Sequence, residues 1–397
     1  STAMSRLSVP SLRLCRSRAS SSTCNQSYRN PSSSSSNPSS PPHSSSSLIH
    51  RATTPTVFKR TESLVKNLER SLILHEPGRF LILQKPYGVS CLGFKQKGGG
   101  VFKNSVHNSI DREEEGDDEG LGSMESLTKS VTVADCIPQL SKIFREPHLG
   151  FCSGLKRYVS GPLILPCTKR EYDLMVSSLR RGSGEKKDNE SFYMHSALVI
   201  VIGKPESDEG NVKGYATFQP VGSHREYIFI EGRSNKRART GKYAVDGEME
   251  WRRLASGHGC SLLHIQFTKF ARHLPRLLLS HLNTPILGDS LYSNRLFDVD
   301  GSAVRMEPAK AARNKGKRFV PRELLVKLER DSLEGLPLYA HVWQTVLPRY
   351  CGGASDVDLV ASAPPPSHFT AMIDLLGFNK ELKLFWNENI DPYGEEE

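Results

Sequence analysis

The chain has 397 residues, enough to bury the core of one large domain or of two smaller ones. Its formal net charge of +10 favours a polyanionic partner, although charge alone does not predict a fold. No apolar run approaches the roughly 18 residues of a membrane-spanning helix, and the 8 cysteines are scattered without a Cys-x-x-Cys pair. We therefore expect no membrane span, no metal site and no disulfide framework.

The first 60 residues differ in composition from the rest of the chain. They are rich in Ser and Arg and contain no acidic residue. The first acidic residue of the chain is Glu62. A segment with so few apolar side chains cannot form a core, so residues 1–60 are predicted to be disordered. The same composition is typical of an organelle transit peptide, and we expect a mitochondrial destination ahead of another organelle. A disordered basic tail without a targeting role is the alternative.

Hydrophobic patterning indicates a globular region over residues 61–385, followed by an acidic tail over residues 386–397. Residues 196–202 form the strongest strand signal, and residues 250–254 and 261–267 are predicted to pair as antiparallel strands. The predicted helices cover residues 61–74, 130–144, 169–178 and 369–376, and the other predicted strands cover residues 80–83, 163–165 and 337–347.

Three charged segments interrupt these elements. Residues 97–125 begin with glycines and become strongly acidic, which predicts a solvated insertion. Residues 233–239 and 305–322 are rich in Lys and Arg and are predicted to be basic loops. An isolated charge run is usually a solvated loop, so the two basic loops need a second argument before they indicate a binding surface.

Three separated motifs carry a family resemblance. Residues 85–88 spell KPYG, residues 154–165 spell GLKRYVSGPLIL, and residues 285–292 spell PILGDSLY, preceded by His273 and Arg276. They resemble the segments K-P-x-G, H-R-L-D-x-x-(S/T)-S-G-L-L and P-(I/V)-L-G-D-x-x-Y of the RluA-type pseudouridine synthases. The resemblance covers roughly residues 75–350. It implies an α+β, pseudouridine synthase-like fold with a long, mostly antiparallel mixed sheet, flanking helices and a central RNA cleft.

The resemblance also implies a chemistry that this chain departs from. Family members isomerise uridine in RNA without a cofactor, and the aspartate of H-R-L-D acts at the ribose. Here Lys156 occupies the aspartate position. Lysine is cationic at neutral pH, with a reference pKa near 10.4, and cannot act as that carboxylate does. We therefore expect Lys156 to be non-functional in catalysis, and we do not expect Asp135, Asp173 or Asp289 to replace the aspartate.

The second half of the family pattern is also altered. His273 and Arg276 keep their places in T-G-R-x-H-Q-(I/L)-R, but Ala271 stands at the arginine of G-R, which holds the substrate in the family. Arg272 is adjacent but would project in another direction from an extended backbone. The family strand K-x-Y-x-A-L-V-x-G also has a tyrosine, for which two alternatives are open in this chain: replacement by His195, or Tyr193 after a shift of register.

The site residues expected from the resemblance and the charge pattern fall into two groups. Gly288, Asp289 and Tyr292 are expected to shape the cleft. The expected RNA-binding residues are Lys85, Tyr87, Arg157, His273 and Arg276 in the cleft, with Arg233, Lys236, Arg237, Arg313, Lys315, Lys317 and Arg318 in the basic loops.

These observations predict an RNA-binding, pseudouridine synthase-like protein that lacks catalysis and needs no cofactor. We expect it to act on, or assemble with, organellar ribosomal RNA, with ribosomal or assembly proteins as further partners. An active synthase with a rearranged site, isomerising uridine in mitochondrial RNA, is the alternative. A regulatory or scaffolding protein that does not bind RNA is a third reading.

Overall fold

The computed structural model describes residues 45–92, 131–182, 192–222, 224–232, 234, 244–351 and 357–390. The acidic insertion, nearly all of the basic loop at 233–239 and the end of the acidic tail lie outside these ranges. The described helices are α1 (Ser45–Thr53), α2 (Thr61–Arg70), α3 (Val133–Phe144), α4 (Lys169–Gly182), α5 (Leu274–His281), α6 (Ser290–Ser293), α7 (Pro308–Ala311), α8 (Arg322–Leu328), α9 (Ser367–Leu376) and α10 (Asn379–Ile390). The strands are β1 (Leu72–Glu76), β2 (Phe80–Lys85), β3 (Gly161–Pro166), β4 (His195–Ile202), β5 (Glu209–Val221), β6 (His224–Glu231), β7 (Val245–Gly257), β8 (Cys260–Phe267), β9 (Leu296–Val299), β10 (Ser302–Arg305), β11 (Ala340–Leu347) and β12 (Leu359–Ser362).

A seven-stranded antiparallel sheet organises the fold. Its strand order is β12-β11-β4-β8-β7-β5-β6, and β4 lies against β8 with Val199 opposite Leu263. Smaller sheets are formed by β1-β2-β3 and by β10-β9. The α+β class and the mostly antiparallel sheet with flanking helices are therefore confirmed, as is the predicted pairing of the two strands that became β7 and β8.

Strand β4 of the large sheet is buried on both faces. Side chains alternate along β4, so that Ala197, Val199 and Val201 join one hydrophobic cluster while Leu198, Ile200 and Ile202 join another. The first cluster contains residues of α5, and the second contains residues of α9 and α10. The continuous apolar run of β4 follows from this double burial.

The small sheet is joined to the large one where β3 meets β11. The Val342 N–H donates to the Ser160 carbonyl at 2.9 Å. A side chain at Gly161 would clash with the Val342 carbonyl, so only glycine permits this close approach. The Ser160-Gly161 pair, which belongs to the second motif, therefore fixes that motif against the central sheet.

Helix ends follow local chemistry. Thr132 and Asp135 form a reciprocal capping box at the start of α3, and the helix ends at Arg145 in the left-handed conformation. The helix expected over residues 61–74 ends earlier, at Arg70, because residues from Leu72 onward pair with β2. Pairing with a neighbouring strand overrides the helical periodicity of that stretch.

The structure differs from the sequence expectation at both ends of the globular region. The part of the expected disordered segment that is described contains α1, whose Ala52 is fully buried, and the Tyr339 hydroxyl donates to the Ala52 carbonyl at 2.8 Å. At the other end α10 continues to Ile390, past the expected boundary at 385, because Phe385 packs in the core. Tertiary packing extends the folded region in both directions.

Two further expectations need correction. The segment 305–322 is not one loop, because it contains the end of β10, all of α7 and the first residue of α8. Strands β5 and β6 were not predicted, since few of their residues give a run of apolar signal. Within the described ranges, no helix has the length and apolarity to cross a membrane.

Candidate RNA-binding cleft

The turn after β2 is locked against the segment that contains Lys156. The Gly88 N–H donates to the Arg157 carbonyl at 2.9 Å, and the Arg157 Nε donates back to the Gly88 carbonyl at 3.0 Å. Gly88 has a φ of +77°, a conformation that favours glycine. The KPYG motif and the GLKRYVSG motif therefore meet through two reciprocal hydrogen bonds.

Lys85 and Tyr87 lie inside the protein. Lys85 is 0% exposed, and its ammonium donates to the carbonyls of Pro86 at 3.1 Å and Val89 at 2.7 Å. The Tyr87 hydroxyl accepts from the Leu338 N–H at 2.9 Å. Both side chains brace the turn, so the expected direct contact of Lys85 and Tyr87 with RNA does not fit their burial.

Lys156 is also buried, with 2% of its surface exposed. Its carbonyl accepts from the Val159 N–H at 3.1 Å and closes a turn. Ser160, at the end of the turn, bonds His341 Nδ1 at 2.9 Å, while His341 Nε2 donates to the Ala363 carbonyl at 3.0 Å. Burial lowers the pKa of His341 to about 4, so this histidine is neutral near pH 7.

The start of α5 has an unusual backbone. Arg272 and His273 both adopt left-handed conformations, with φ of 53° and 58°. His273 is buried and its Nδ1 bonds the Tyr292 hydroxyl at 3.0 Å. Pro275 lies in the first helical turn, where a backbone N–H has no intrahelical partner to lose. An extended backbone was expected at Arg272, and the left-handed conformation corrects that expectation.

Arg276 and Asp289 form a buried bidentate ion pair. The Arg276 Nε and Nη2 donate to the two carboxylate oxygens of Asp289 at 2.9 and 2.8 Å. Burial acts to lower the pKa of the Arg276 guanidinium, but the Asp289 carboxylate outweighs it, and the pKa is raised. Arg276 therefore stays protonated and its guanidinium is held by Asp289.

The segment after Gly288 surrounds this ion pair. Gly288 has a φ of +84°, and a side chain there would clash with the Pro337 carbonyl. Asp289 also caps α6 by accepting from the Tyr292 N–H at 3.1 Å. Tyr292 is fully buried, with the Arg276 guanidinium 5.2 Å from its ring centroid. Gly288, Asp289 and Tyr292 thus hold the backbone around Arg276.

We call the segment around Lys156 and the segment from Ala271 to Tyr292 the two halves of the cleft, and they contact each other at Tyr158. The Arg276 guanidinium lies 4.8 Å from the ring centroid of Tyr158, two residues after Lys156. Sequence motifs separated by more than 100 residues therefore meet at Arg276.

Comparison with known proteins shows similarity to two human pseudouridine synthases. No family model matches the chain. The human mitochondrial mRNA pseudouridine synthase RPUSD3 is 27% identical over 253 residues, which are 62% of this chain and 68% of that protein. The human mitochondrial pseudouridylate synthase RPUSD4 is 25% identical over 312 residues, which are 76% of this chain and 68% of that protein. The chain is therefore similar to two pseudouridine synthases, which supports its resemblance to the RluA-type family.

Two solved human structures are similar to this chain at lower identity. RNA pseudouridylate synthase domain containing 4 is 18% identical with a TM-score of 0.49, and covers 80% of this chain and 97% of its own. RNA pseudouridylate synthase domain containing 1 is 14% identical with a TM-score of 0.42, and covers 77% of this chain and 88% of its own.

The carboxylates considered as substitutes for the family aspartate have other partners. Asp135 Oδ2 accepts from the backbone N–H and the hydroxyl of Thr132, both at 2.8 Å. Asp173 pairs with Lys169 on the exposed face of α4. Asp289 is held by Arg276. Each of these three acids therefore has a structural role at its own place in the fold.

The expected basic residues separate by exposure. Arg313, Lys315, Lys317 and Arg318 are all exposed. Arg318 lies over the Phe297 ring at 3.9 Å from the centroid and donates to the Asn294 carbonyl. Arg157 is largely buried. The remaining expected residues, Arg233, Lys236 and Arg237, lie outside the described part of the chain.

The two candidates for the family tyrosine lie in different surroundings. His195 packs against Phe267 and Phe270 at 5.4 and 5.0 Å between ring centroids, and burial lowers its pKa to about 4. The Tyr193 hydroxyl instead bonds Glu248 at 3.1 Å and accepts from Asn211 at 2.8 Å. His195 is neutral near pH 7 and therefore brings no charge to the cleft face.

Sequence reasoning missed Phe218, Tyr227 and Arg272 as a group. The Phe218 and Tyr227 rings stack across β5 and β6 at 4.5 Å, and the Arg272 guanidinium lies 5.0 Å from the Phe218 centroid. The alternation of Val212, Gly214 and Ala216 leading to Phe218 is a weak strand signal that could have placed Phe218 on the buried face. The position of Arg272 could not have been found from the sequence.

Proposed function

We propose that this protein binds organellar RNA through a pseudouridine synthase fold and does not isomerise uridine through residue 156. One observation carries the proposal: the family's catalytic aspartate is replaced by Lys156, which is 2% exposed. The three acids considered as replacements are held by Thr132, Lys169 and Arg276. A base flipped into this cleft would therefore find a lysine where an active family member has a carboxylate.

The chemistry of the reaction separates the two residue types. Breaking the C1′–N1 bond and rejoining the base through C5 requires a group that attacks the anomeric carbon or removes a ribose proton. An ionised carboxylate can do either. An ammonium can do neither until it loses a proton.

Exposed cations support the RNA-binding part of the proposal. Arg313, Lys315, Lys317 and Arg318 form a short basic segment on the surface, and the whole chain has a net charge of +10. Lys and Arg contacts to phosphates provide most of the affinity for nucleic acid and little sequence selectivity. The basic segment is the proposed phosphate contact, and Arg233, Lys236 and Arg237 are proposed as a second one.

The cellular part of the proposal comes from composition and relatives. The Ser- and Arg-rich residues 1–44 support import into mitochondria. RPUSD3 is named as a mitochondrial mRNA pseudouridine synthase, and RPUSD4 as a mitochondrial pseudouridylate synthase. We propose ribosomal RNA as the main target, with ribosomal or assembly proteins as partners.

Pseudouridine mapping tests the catalytic part. Mitochondrial ribosomal and messenger RNA would be mapped with and without the protein, and depleted cells would be rescued with wild type or Lys156→Ala. We expect no pseudouridine to disappear and both proteins to rescue any defect in ribosome assembly. A site that is lost on depletion and returns only with wild type would establish the alternative, an active synthase that uses Lys156.

Salt-dependent binding tests the RNA-binding part. The affinity of purified protein for single-stranded RNA should fall steeply with salt, and neutralising Arg313 or Lys317 should reduce the logarithmic slope by about 0.7 each. Lys380→Ala, which removes an exposed cation on α10, is the matched control and should leave the slope unchanged. Binding that is insensitive to salt would overturn the proposal and favour a scaffolding protein.

A further inference from the structure

An aromatic stack lies at the rim of the cleft, on the face of the sheet that carries the core of α5. Phe218 and Tyr227 face each other across β5 and β6, with 4.5 Å between ring centroids and 30° between ring planes. Both side chains are partly exposed. The Arg272 guanidinium lies 5.0 Å from the Phe218 centroid and is also partly exposed.

The backbone is shaped to place Arg272 there. Arg272 and His273 are adjacent non-glycine residues in the left-handed region, a conformation with a free-energy cost that surrounding contacts must offset. Buried His273 is held by the Tyr292 hydroxyl and packs 5.1 Å from the Tyr227 ring. This anchoring directs the neighbouring Arg272 away from α5 and over Phe218.

The stack is connected to the basic segment formed by Arg313, Lys315, Lys317 and Arg318. Arg295 donates to the Tyr227 carbonyl at 3.1 Å and to Glu226 at 2.7 Å. The neighbouring residue, Asn294, accepts a hydrogen bond from Arg318 through its carbonyl. Helix α7, which precedes the basic segment, packs against β5, the strand that carries Phe218. The basic segment and the stacked rings are therefore linked through Arg295, Asn294 and α7.

We propose that Arg272, backed by Phe218 and Tyr227, forms a stacking site for an unpaired base of the RNA, next to the base that enters the cleft. Planar guanidinium groups and aromatic rings are the surfaces on which proteins stack unpaired RNA bases. Tyr227, His273, Tyr292 and Arg276 are in successive contact between Phe218 and Tyr158, so a base at Arg272 lies at the rim and not at Lys156. This inference rests on the proposed RNA binding and gives it a residue-level contact.

Three variants separate stacking from charge and from folding. Arg272→Lys keeps the charge and loses the planar group. Phe218→Leu keeps an apolar side chain and loses the ring. Tyr215→Leu is the matched control, because Tyr215 is an aromatic residue on the opposite face of the same strand.

The probe is a single-stranded RNA of about 12 nucleotides with one 2-aminopurine, whose fluorescence is quenched when it stacks. We expect Arg272→Lys and Phe218→Leu to weaken binding about tenfold and to abolish quenching, with Tyr215→Leu equal to wild type. An abasic site in place of the 2-aminopurine should weaken wild type by the same factor and leave Arg272→Lys unaffected.

The outcomes distinguish this inference from the proposed function. If wild type binds with a steep salt dependence and Arg272→Lys matches it in affinity and quenching, Arg272 contributes charge alone and the stacking site is overturned. If Phe218→Leu unfolds, Arg272→Lys alone decides, because it leaves the core unchanged. If wild type itself does not bind RNA, the proposed function fails and the inference fails with it.

Discussion

The two halves of the cleft have changed to very different degrees. One half, formed by Arg276, Asp289 and Tyr292, keeps the family's residues, and its polar groups are tied to one another at hydrogen-bonding distance. The other half has Lys156 where the family resemblance has its aspartate, whereas the half around Arg276 departs from the family pattern at Ala271, beside the residues that it keeps.

The difference shows which residues a fold can exchange. Asp289 binds Arg276 and caps α6, so changing it would leave a buried cation and a helix end without their partner. The family aspartate serves the substrate, and its loss need not disturb neighbouring elements. Residues that hold the backbone of a site can therefore persist after the residue that acts on the substrate has been replaced.

The largest loss of stability is expected from a substitution that breaks the ion pair between Asp289 and Arg276. Asp289→Ala leaves the Arg276 guanidinium buried without its carboxylate, and we expect a loss of about 3–5 kcal/mol in the free energy of unfolding. Urea unfolding monitored by circular dichroism would measure it.

Two controls sharpen the Asp289 test. Asp289→Asn keeps an acceptor for the Tyr292 N–H and should lose less than Asp289→Ala. Asp173→Ala removes an exposed pair with Lys169 and should change the free energy of unfolding by less than about 1 kcal/mol. Equal losses for Asp289→Ala and Asp173→Ala would show that the retained half contributes no special stability.

A smaller effect on stability is expected from protonation of His341, which bonds Ser160 in the segment that follows Lys156. Burial lowers the pKa of His341 from 6.5 to about 4, so the unfolded chain takes up a proton before the folded protein does. Stability attributable to His341 is therefore complete above about pH 6.5 and is lost as pH falls toward 4, at up to about 1.4 kcal/mol per pH unit.

Replacing His341 isolates its part of the pH dependence. His195 and His368, whose pKa values burial also lowers to about 4, add to the wild-type loss. In urea unfolding at several pH values, His341→Gln should be less stable at neutral pH and should lose less stability on acidification. A profile parallel to that of wild type would rule out His341 as a contributor.

The smallest effect on stability is expected from a substitution of Lys156, the residue at the family's aspartate position. Lys156→Met keeps the length of the side chain and removes a buried charge, so we expect a change within about 1 kcal/mol in either direction. Thermal unfolding beside the Asp289 variants would measure it. A loss of several kcal/mol would contradict the comparison, because Lys156 would then be as deeply tied into the fold as Asp289.

Several parts of the structure could be predicted from local sequence. The apolar run of β4 and the alternation of β8 identify central strands, and the spacing of apolar residues identifies α9. Motif spacing placed His273, Arg276 and Asp289 in one group, and the structure brings Arg276 and Asp289 into contact. The β5–β6 hairpin was missed because buried positions of β5 are held by Val212, Gly214 and Ala216, which give only a weak apolar alternation.

Residue type did not predict which charged side chains are buried or where they point. Lys85 was expected on an RNA surface, yet its ammonium is enclosed by the carbonyls of the turn that follows it. Arg272 was set aside because an extended backbone would turn it away, whereas the left-handed backbone places it over Phe218. Both outcomes depend on backbone geometry that residue types alone do not specify.

The sequence by itself determined the resemblance to the RluA-type pseudouridine synthases, the central strands and the presence of Lys156 at the aspartate position of that resemblance, because motif identity and periodicity are local properties of the chain. The tertiary structure decided which charges are buried, which carboxylates are already bound, and where Arg272 lies. Those properties depend on contacts between distant segments, such as the bond between Tyr87 and Leu338, whose residues are 251 positions apart.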